Sequence, residues 1–405
     1  MTRGRLSPGV RVAVRVAAWA LAATMLVSAW LAVAPATSYR HFQARVVASE
    51  GSAWVALAGV LLVVGTRATR LGTGIAAIGL LSAATASVPL ARALPVAASV
   101  PAQFDRVFGP PGPLPAAGGV PRSAPLVLVD LWRGLDLPDV TPTTFAYREV
   151  DGAELAMDVL RPSGSGPWPG IVVVHGGSWS GGARTEFSGL SRYLVDRGFI
   201  VASMDYRLAP RWSYPAAAED VMTAIEALKE NARDIGLDAT RLVLLGRSAG
   251  GQLALLAAYT ANDPAIRGVV SFYAPSDLVY GYEHPADPRV FDSTRVLTTY
   301  IGGHLIAKRD QYRAASPVAY VDQSTPPTLL IHGTPDELVD KEQSRRLDRR
   351  LADAGVPHLL VELPWASHGC DYFLRGPCGQ ISTYAVERFL RSVLRAHTAF
   401  TPSHQ

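Results

Sequence analysis

The sequence predicts an α/β protein: a mostly parallel sheet with helices on both faces, preceded by about three transmembrane helices. Residues 1–98 contain three long uncharged runs, whereas short β-branched runs alternate with longer amphipathic ones after residue 140. Residues suited to chemistry follow directly after the short runs, where sheets of this kind bind ligands. We therefore expect a membrane anchor at 1–98, a Pro/Gly-rich linker at 99–140 and a folded catalytic domain at 141–400.

Composition supports this division. Of 405 residues, 49% are hydrophobic and 18% are charged, against about a quarter charged in ordinary soluble domains, so part of the chain is expected in lipid. Such a composition excludes a disordered protein, and two cysteines exclude a disulfide-dense scaffold. Residues 1–98 hold nine Arg and one Glu, while the rest is net negative. The basic excess belongs to the apolar segment, so we expect no nucleic-acid partner.

The three uncharged runs cover residues 16–34, 51–66 and 71–91, with 19, 16 and 21 residues. About 20 apolar residues cross the hydrocarbon core as a helix, so each predicts a span that contacts membrane lipids. The third is weakened by Gly, Ser and Thr. The first could instead be a cleaved signal peptide, since Ala32-Val33-Ala34 resembles a cleavage site. Its length and the two runs that follow favour an anchor.

The positive-inside rule predicts the orientation. Four Arg precede the first run, and Arg67 and Arg70 separate the second from the third. Placing both groups in the cytoplasm puts the catalytic domain outside, although Arg40 and Arg45 then lie on the outer face. With only two spans, the domain would be cytoplasmic.

Between anchor and domain, residues 101–121 contain six prolines. Proline fixes φ and removes a donor, which predicts an extended linker. Residues 126–132 could form a strand, a short surface helix or a flap. Eight strands are then predicted, at residues 146–150, 155–160, 170–174, 199–205, 241–246, 268–272, 328–332 and 358–363. Helices are predicted at residues 186–196, 216–232, 249–259, 341–354 and 381–396.

The first motif is Gly246-Arg247-Ser248-Ala249-Gly250, between the fifth strand and an apolar helix. It matches the G-x-S-x-G turn that lifts a nucleophilic serine out of a sheet. The second, His175-Gly176-Gly177, follows the third strand. Backbone N–H groups of Gly176, Gly177 and Ala249 could hold the negative charge that develops on an acyl oxygen. We expect His175 to shape this loop rather than to act as a base.

Asp336 and His368 complete the pattern, because each follows a strand and the order Ser…Asp…His is the one expected for this architecture. Such a triad needs a base for the serine proton and a carboxylate that orients the base. Glu337 and Asp340 compete for the acid, and His332 and His358 for the base. Only His368 lies in a loop beyond a strand's carboxyl end.

Six motifs in order resemble the α/β-hydrolase superfamily, and within it bacterial carboxylesterases related to hormone-sensitive lipase and isoprenylcysteine methylesterase-like enzymes. They are HGGSW at 175–179, DYRLAP at 205–210, YPAAAEDV at 214–221, GRSAGG at 246–251, HGTPDELV at 332–339 and SHG at 367–369. The resemblance covers residues 145–397. It implies the α/β-hydrolase fold, Ser248, Asp336 and His368 as triad, and ester hydrolysis without metal or cofactor on a small-molecule or lipid ester. HGGS replaces the HGGG of hormone-sensitive lipases, so tertiary-alcohol esters are not expected.

Several points stay open. An amidase, formamidase or peptidase would use the same triad, and a non-catalytic binding protein is a further alternative. The insert between residues 273 and 326 predicts a small cap, whose aromatic residues either line an acyl pocket or pack its core. Trp179 and Tyr206 are candidate substrate-binding residues. Cys370 and Cys378 are predicted to form a disulfide beside His368 if the domain is extracytoplasmic, and are otherwise two free thiols.

Overall fold

The structure is a computed structural model that describes residues 7–69, 72–115 and 118–395. Its N-terminal part is helical. The first helix begins with Pro8 directly after Ser7, whose side chain accepts a hydrogen bond from the backbone N–H of Val10. These helices are α1 Pro8–Leu31, α2 Tyr39–Glu50, α3 Ser52–Thr69, α4 Thr73–Ala86 and α5 Val88–Phe108.

Helices α1, α3 and α4 pack into a bundle with apolar side chains outward and small residues at the contacts. A Cβ on Gly59 of α3 would lie 2.6 Å from the carbonyl oxygen of Gly79 on α4, so these backbones approach as only glycine permits. Two helical stretches, Gly9–Leu31 and Thr73–Phe108, are long and apolar enough to cross a membrane. The bent pair α2 and α3, with 67° between them, raises the number to three if it forms one span. Arg70, one of the two arginines that separate the second and third uncharged runs, lies outside the described residues, as does Leu71.

The extended chain predicted for residues 101–121 is wrong for residues 101–108, because α5 continues to Phe108 and contains Pro95 and Pro101. The apolar face of α5 explains this, since Ala97, Val100 and Phe104 are buried in the core of the following domain. Residues 118–142 then follow the surface without long elements, apart from α6 Asp130–Arg133. Of the strand, short helix and flap considered for residues 126–132, the structure shows a short helix at the end of this segment.

The rest of the chain folds around eight strands, and all eight predicted strands are confirmed within a few residues. The strands are β1 Thr143–Val150, β2 Ala153–Leu160, β3 Trp168–Val174, β4 Ile200–Met204, β5 Leu237–Arg247, β6 Ile266–Phe272, β7 Thr328–Gly333 and β8 His358–Leu363. The helices are α7 Ser188–Asp196, α8 Ala216–Glu230, α9 Ala232–Ile235, α10 Ala249–Thr260, α11 Leu278–Glu283, α12 Ser293–Ile301, α13 Leu305–Ala314, α14 Glu342–Asp353 and α15 Pro377–Val393.

The strands form one sheet in the order β1-β2-β4-β3-β5-β6-β7-β8. β1 and β2 pair antiparallel with each other, and β2 with β4, whereas the remaining pairs are parallel. β3 and residues 242–246 of β5 are apolar and buried on both faces because helices cover each side. α8, α10 and α14 pack on one face, and α5, α7 and α15 on the other. The parallel strands therefore end at one edge, where the predicted motifs meet.

The insert between β6 and β7 forms a cap of α11, α12 and α13. Tyr300 and Tyr312 are buried inside it, with Tyr312 beside Tyr282 in an edge-to-face arrangement. Of the insert's aromatic residues, Phe291 lines the cavities described below. Most of these aromatic side chains thus pack the cap itself.

Candidate active site

Ser248 lies at a sharp turn between β5 and α10. Its φ of 53° and ψ of −122° are strained for an L-residue. A Cβ on Gly246 would lie 2.1 Å from the carbonyl oxygen of Gly250, and one on Gly250 would lie 2.2 Å from that of His175. Glycine is required at both positions, and the turn holds the Ser248 side chain above the sheet at the start of α10.

Asp336 and His368 lie together at the ends of β7 and β8. His368 Nδ1 is 2.8 Å from Asp336 Oδ2, and Asp336 Oδ1 accepts hydrogen bonds from the backbone N–H groups of Leu338 (2.8 Å) and Val339 (3.0 Å). Burial alone would raise the pKa of Asp336, but His368 and His332 outweigh it and hold that pKa well below its ordinary value. A carboxylate that stays ionised beside His368 can orient the ring and stabilise its cation.

The competing histidines make other contacts, although His332 Nε2 also lies 3.4 Å from Asp336 Oδ2. His332 is buried, with Nδ1 2.7 Å from Ser344 Oγ and Nε2 3.0 Å from the carbonyl oxygen of Val339. His358 pairs with Asp348, which raises its pKa, at the opposite end of β8. Of these three histidines, His368 shares a cavity wall with Ser248.

The loop after β3 lies against the serine. A Cβ on Gly176 would lie 3.5 Å from Ser248 Cβ, and Gly177 has a φ of 114°. Within the described residues, the backbone N–H groups of Gly176, Gly177 and Ala249 donate no hydrogen bond, so all three are available to an oxyanion.

His175 and Tyr206 support this loop from beneath. Their rings stack with centroids 4.2 Å apart, and Tyr206 Oη donates to the carbonyl oxygens of His175 (3.0 Å) and Gly176 (3.3 Å). Burial lowers the pKa of His175, so it stays neutral. Tyr206 lines neither cavity at Ser248, and its hydroxyl group contacts the loop.

Trp179 lines the cap side of the site. Its Nε1 donates to Gln252 Oε1 at 2.8 Å, and its ring stacks on Tyr300 with centroids 4.2 Å apart. The indole is therefore fixed in orientation and can serve as a rigid wall.

Two cavities meet at Ser248. The cap cavity, about 350 Å³, is lined by Trp179, by Asp340 and by cap residues that include Phe291. The α2 cavity, about 1070 Å³, is lined by His368, by the Gly176-Gly177 loop and by side chains of α2. The involvement of α2 was not predicted, because it belongs to the segment interpreted as an anchor.

Arg45 of α2 forms a buried ion pair with Glu337 and donates to the carbonyl oxygen of Pro335 at 3.4 Å. Glu337 also accepts a hydrogen bond from Ser367 Oγ. The two residues flanking the predicted acid and base, Glu337 and Ser367, are thus joined to each other and to α2.

Glu50, at the end of α2, is buried against the histidine loop. Its Oε2 accepts a hydrogen bond from the backbone N–H of Cys378 at 2.9 Å, and Cys378 is bonded to Cys370 in a disulfide. One sequence signal could have indicated these contacts, since Glu50 is the single acidic residue among residues 1–98. A lone carboxylate in an apolar segment needs a partner.

No group of three His, Cys, Asp or Glu side chains within the described parts of the chain is arranged to hold a metal ion. The polar groups around Ser248 are instead arranged as a possible nucleophile, base, acid and oxyanion donors.

Esterases are among the proteins to which this chain is similar. The BD-FAE family model matches residues 157–351. Esterase LipQ of Mycobacterium tuberculosis is 32% identical over 232 residues, 54% of this chain and 55% of LipQ. Esterase LipC of the same organism is 30% identical over 292 residues, 68% of this chain and 64% of LipC. The chain therefore spans less than two thirds of the length of these two relatives.

Solved structures show the same fold. An esterase of the archaeon Pyrobaculum calidifontis superposes with a TM-score of 0.56 at 25% identity, over 65% of this chain and 88% of that one. A fungal esterase of Rhizomucor miehei gives 0.55 at 23% identity, over 66% and 88%.

Proposed function

Because residues 143–393 form an α/β-hydrolase domain, we propose that the chain is a serine carboxylic ester hydrolase that works through an acyl-enzyme on Ser248. The observation that carries the proposal is the ordered pair of His368 and buried Asp336, 2.8 Å apart, in the wall of the cavity that Ser248 also lines. The names of the similar proteins, esterases in each case reported above, support the same reaction.

In the first half of the reaction, Ser248 Oγ attacks the ester carbonyl carbon while His368 Nε2 takes the hydroxyl proton. A bond forms between Oγ and the carbon, and the carbon–oxygen bond to the alcohol breaks as His368 returns the proton to the leaving oxygen. Water then attacks the acyl-enzyme with His368 as base, and the carboxylic acid leaves with Ser248 restored. Asp336 orients the ring and stabilises its cation throughout.

The backbone N–H groups of Gly176, Gly177 and Ala249 hold the negative oxygen that forms in each half. These donors make no other hydrogen bond within the described residues, and removal of one such donor in other enzymes costs about 100- to 1000-fold in rate.

The N-terminal helices anchor the enzyme in the cell membrane, where they contact lipids. α1 has 24 residues and extends about 36 Å, enough for a hydrocarbon core of about 30 Å. The stretch Thr73–Phe108 has 36 residues, about 54 Å, so its second half must leave the membrane. The burial of Val100 and Phe104 in the hydrolase core places that half beside the catalytic domain.

The contacts of α2 constrain the number of spans. α2 touches the hydrolase domain through Arg45 and Glu50, so both lie on the same side of the membrane. The chain must then cross the membrane an even number of times between them, and α3 and α4 are the two helices available. Three spans satisfy this requirement if α3, an 18-residue helix of about 27 Å, crosses alone and α2 stays outside the bilayer, whereas two spans with only α1 and α4 crossing do not.

With three spans and the arginine-rich start in the cytoplasm, the catalytic domain is extracytoplasmic. The disulfide between Cys370 and Cys378 supports that side, because disulfides persist in oxidising compartments.

A matched pair of substrates tests the reaction. The purified full chain should hydrolyse p-nitrophenyl butyrate, and Ser248→Ala should not. Comparison with p-nitrobutyranilide, the amide of the same acyl group, separates an esterase from an amidase. A different result is a folded sample that hydrolyses neither compound and also fails to react with an ester-type acylating reagent. That result would favour the alternative of a non-catalytic binding protein.

A further inference from the structure

Helix α2 forms one wall of the larger cavity at the catalytic serine. Phe42, Val46 and Val47 of α2 line it together with Ser248 and His368. α2 is held in place by the Arg45–Glu337 ion pair and the Glu50–Cys378 hydrogen bond. A segment between two proposed spans is therefore a built part of the substrate-binding site.

The walls of the α2 cavity suit an apolar chain. Apolar side chains from both parts of the molecule line it: Tyr39, Phe42, Val46, Val47, Phe187, Leu190, Phe291, Leu338, Tyr372, Phe373 and Leu374. Among its charged groups, Arg247 and Asp371 are paired with each other, with Arg247 Nε 2.6 Å from Asp371 Oδ2. Burial raises the pKa of the remaining carboxyl group, Glu186. The lining is therefore mainly apolar, and its charged groups are few.

The two cavities differ in size and chemistry. The α2 cavity holds about 1070 Å³, at the upper end of ordinary ligand pockets, which span about 300–1000 Å³. The cap cavity holds about 350 Å³ and presents Asp287, Asp340 and Lys341. Because both meet at Ser248, an ester bound there would place its long apolar part against α2 and its small or polar part under the cap.

The mouth of the α2 cavity lies beside the proposed membrane helices. Tyr39 and Val47 are 48% and 56% exposed, and Tyr372 across the mouth is 64% exposed. Trp30 at the end of α1 and Trp54 at the start of α3 are also exposed. Tyr and Trp concentrate at membrane–water interfaces, so this rim is placed where lipid headgroups would be.

We infer that the α2 cavity binds the long hydrocarbon chain of a membrane lipid ester, which reaches Ser248 from the bilayer surface along α2. This inference rests on the proposed esterase function and names its substrate class. The apolar walls, the volume and the neighbouring membrane helices jointly favour a lipid hydrocarbon chain over a small water-soluble ester in this cavity.

The test measures chain selectivity in the full-length protein. Three esters are compared: p-nitrophenyl acetate in water, and p-nitrophenyl palmitate and hexadecyl acetate in phosphatidylcholine vesicles. Val47→Trp places an indole in the cavity mouth, and Val47→Asp places a charge there with little change in size. Arg40→Trp, on an exposed position of α2 that lines neither cavity, is the matched control.

We expect both Val47 variants to lower kcat/KM for at least one long-chain ester, relative to p-nitrophenyl acetate, by about tenfold or more. Arg40→Trp should leave that ratio within about twofold. The long-chain ester that responds identifies whether the acyl or the alcohol chain occupies the cavity.

An unchanged ratio in both Val47 variants, with the wild type active on all three esters, would overturn the lipid-chain site and leave the esterase proposal standing. A wild type that hydrolyses p-nitrophenyl acetate but neither long-chain ester would also overturn it. Absence of hydrolysis of all three esters by the wild type would instead contradict the proposed function itself.

Discussion

The helical bundle of α1, α3 and α4 and the hydrolase domain are both rich in apolar residues but place them in opposite ways. In the bundle, large apolar side chains such as Val27, Leu61 and Leu80 are exposed, and glycine and alanine form many of the contacts, together with larger residues such as Ile75. In the hydrolase domain, the strands and the inner faces of the helices bury their apolar side chains. This difference is what the proposed membrane anchor requires, with lipid around the first region and water around the second.

Helices α2 and α5 belong to neither region alone. α5 starts in the apolar stretch and ends in the hydrolase core, while α2 supplies part of the cavity at Ser248. The apolar N-terminal segment is therefore structurally continuous with the candidate active site, and the composition boundary near residue 98 does not mark a boundary in the structure.

The largest expected effect comes from the hydrolase side. His368→Ala should lower kcat/KM for p-nitrophenyl butyrate by about 10⁴-fold or more, and Asp336→Asn by about 10⁴-fold, because both remove the activated base. His358→Ala is the matched control, since His358 lies at the far end of β8 and should change activity little. Equal activity in His368→Ala would refute the assignment of the base.

The next effect comes from the anchor side and tests whether the two regions are separable. Arg45→Ala leaves Glu337 buried without its cation, and breaking a buried ion pair costs about 3–5 kcal/mol. We expect kcat to fall by about tenfold or more as the loops carrying Asp336 and His368 lose this support.

The kinetic parameters and the pH profile separate positioning from general destabilisation. Arg45→Ala should change kcat more than KM and alter the pH dependence of kcat/KM, whereas Arg40→Ala on the same helix should change neither. Arg45→Lys, which keeps the charge, should recover part of the lost kcat. Wild-type kcat and pH profile in Arg45→Ala would show that α2 does not position the triad.

A smaller effect is expected from the disulfide. It closes a short loop directly after His368, and a loop of this length is stabilised by about 2–3 kcal/mol in the chain-entropy account. The double variant Cys370→Ser/Cys378→Ser should lower the free energy of unfolding by that amount and reduce activity by only a few-fold. Treatment of the wild type with dithiothreitol should reproduce the change, and stability that resists both would contradict it.

The smallest effect on catalysis is expected within the bundle. Gly59→Leu would force α3 and α4 apart, and such overpacking costs about 1–3 kcal/mol. We expect a lower midpoint of thermal unfolding in detergent but kcat for p-nitrophenyl butyrate within about twofold of wild type. Gly9→Leu, on an exposed position of α1 where an added Cβ meets no atom within 4 Å among the described residues, is the control. Loss of activity in Gly59→Leu alone would mean that the bundle also controls the site.

Much of the hydrolase domain could be predicted from the sequence because its signals are local. β-branched runs fixed the eight strands, and the strand–turn–helix setting of Ser248 follows from glycines that the structure shows to be required. The positions of Asp336 and His368 follow from the shared edge of parallel strands, and the structure brings them together. Their roles as acid and base stay predictions, which the activities of the Asp336 and His368 variants test.

The rest depends on contacts between distant residues. Arg45 and Glu337 are 292 positions apart, and no local pattern relates them. Pro101 predicted an extended chain, but the packing of Val100 and Phe104 on the hydrolase core stabilises a helix there. Tyr206 was expected to contact substrate, whereas its hydroxyl group donates to the loop of Gly176, a role that its sequence position could not distinguish.

Covalent labelling tests most directly whether Ser248 is an activated nucleophile. The full chain, with its N-terminal helices, is incubated with a fluorophosphonate probe beside Ser248→Ala, and the adduct is located by peptide mass. We expect labelling at Ser248 that is lost in Ser248→Ala and strongly slowed in His368→Ala. A folded protein that stays unlabelled, or that is labelled at another residue, would contradict this expectation.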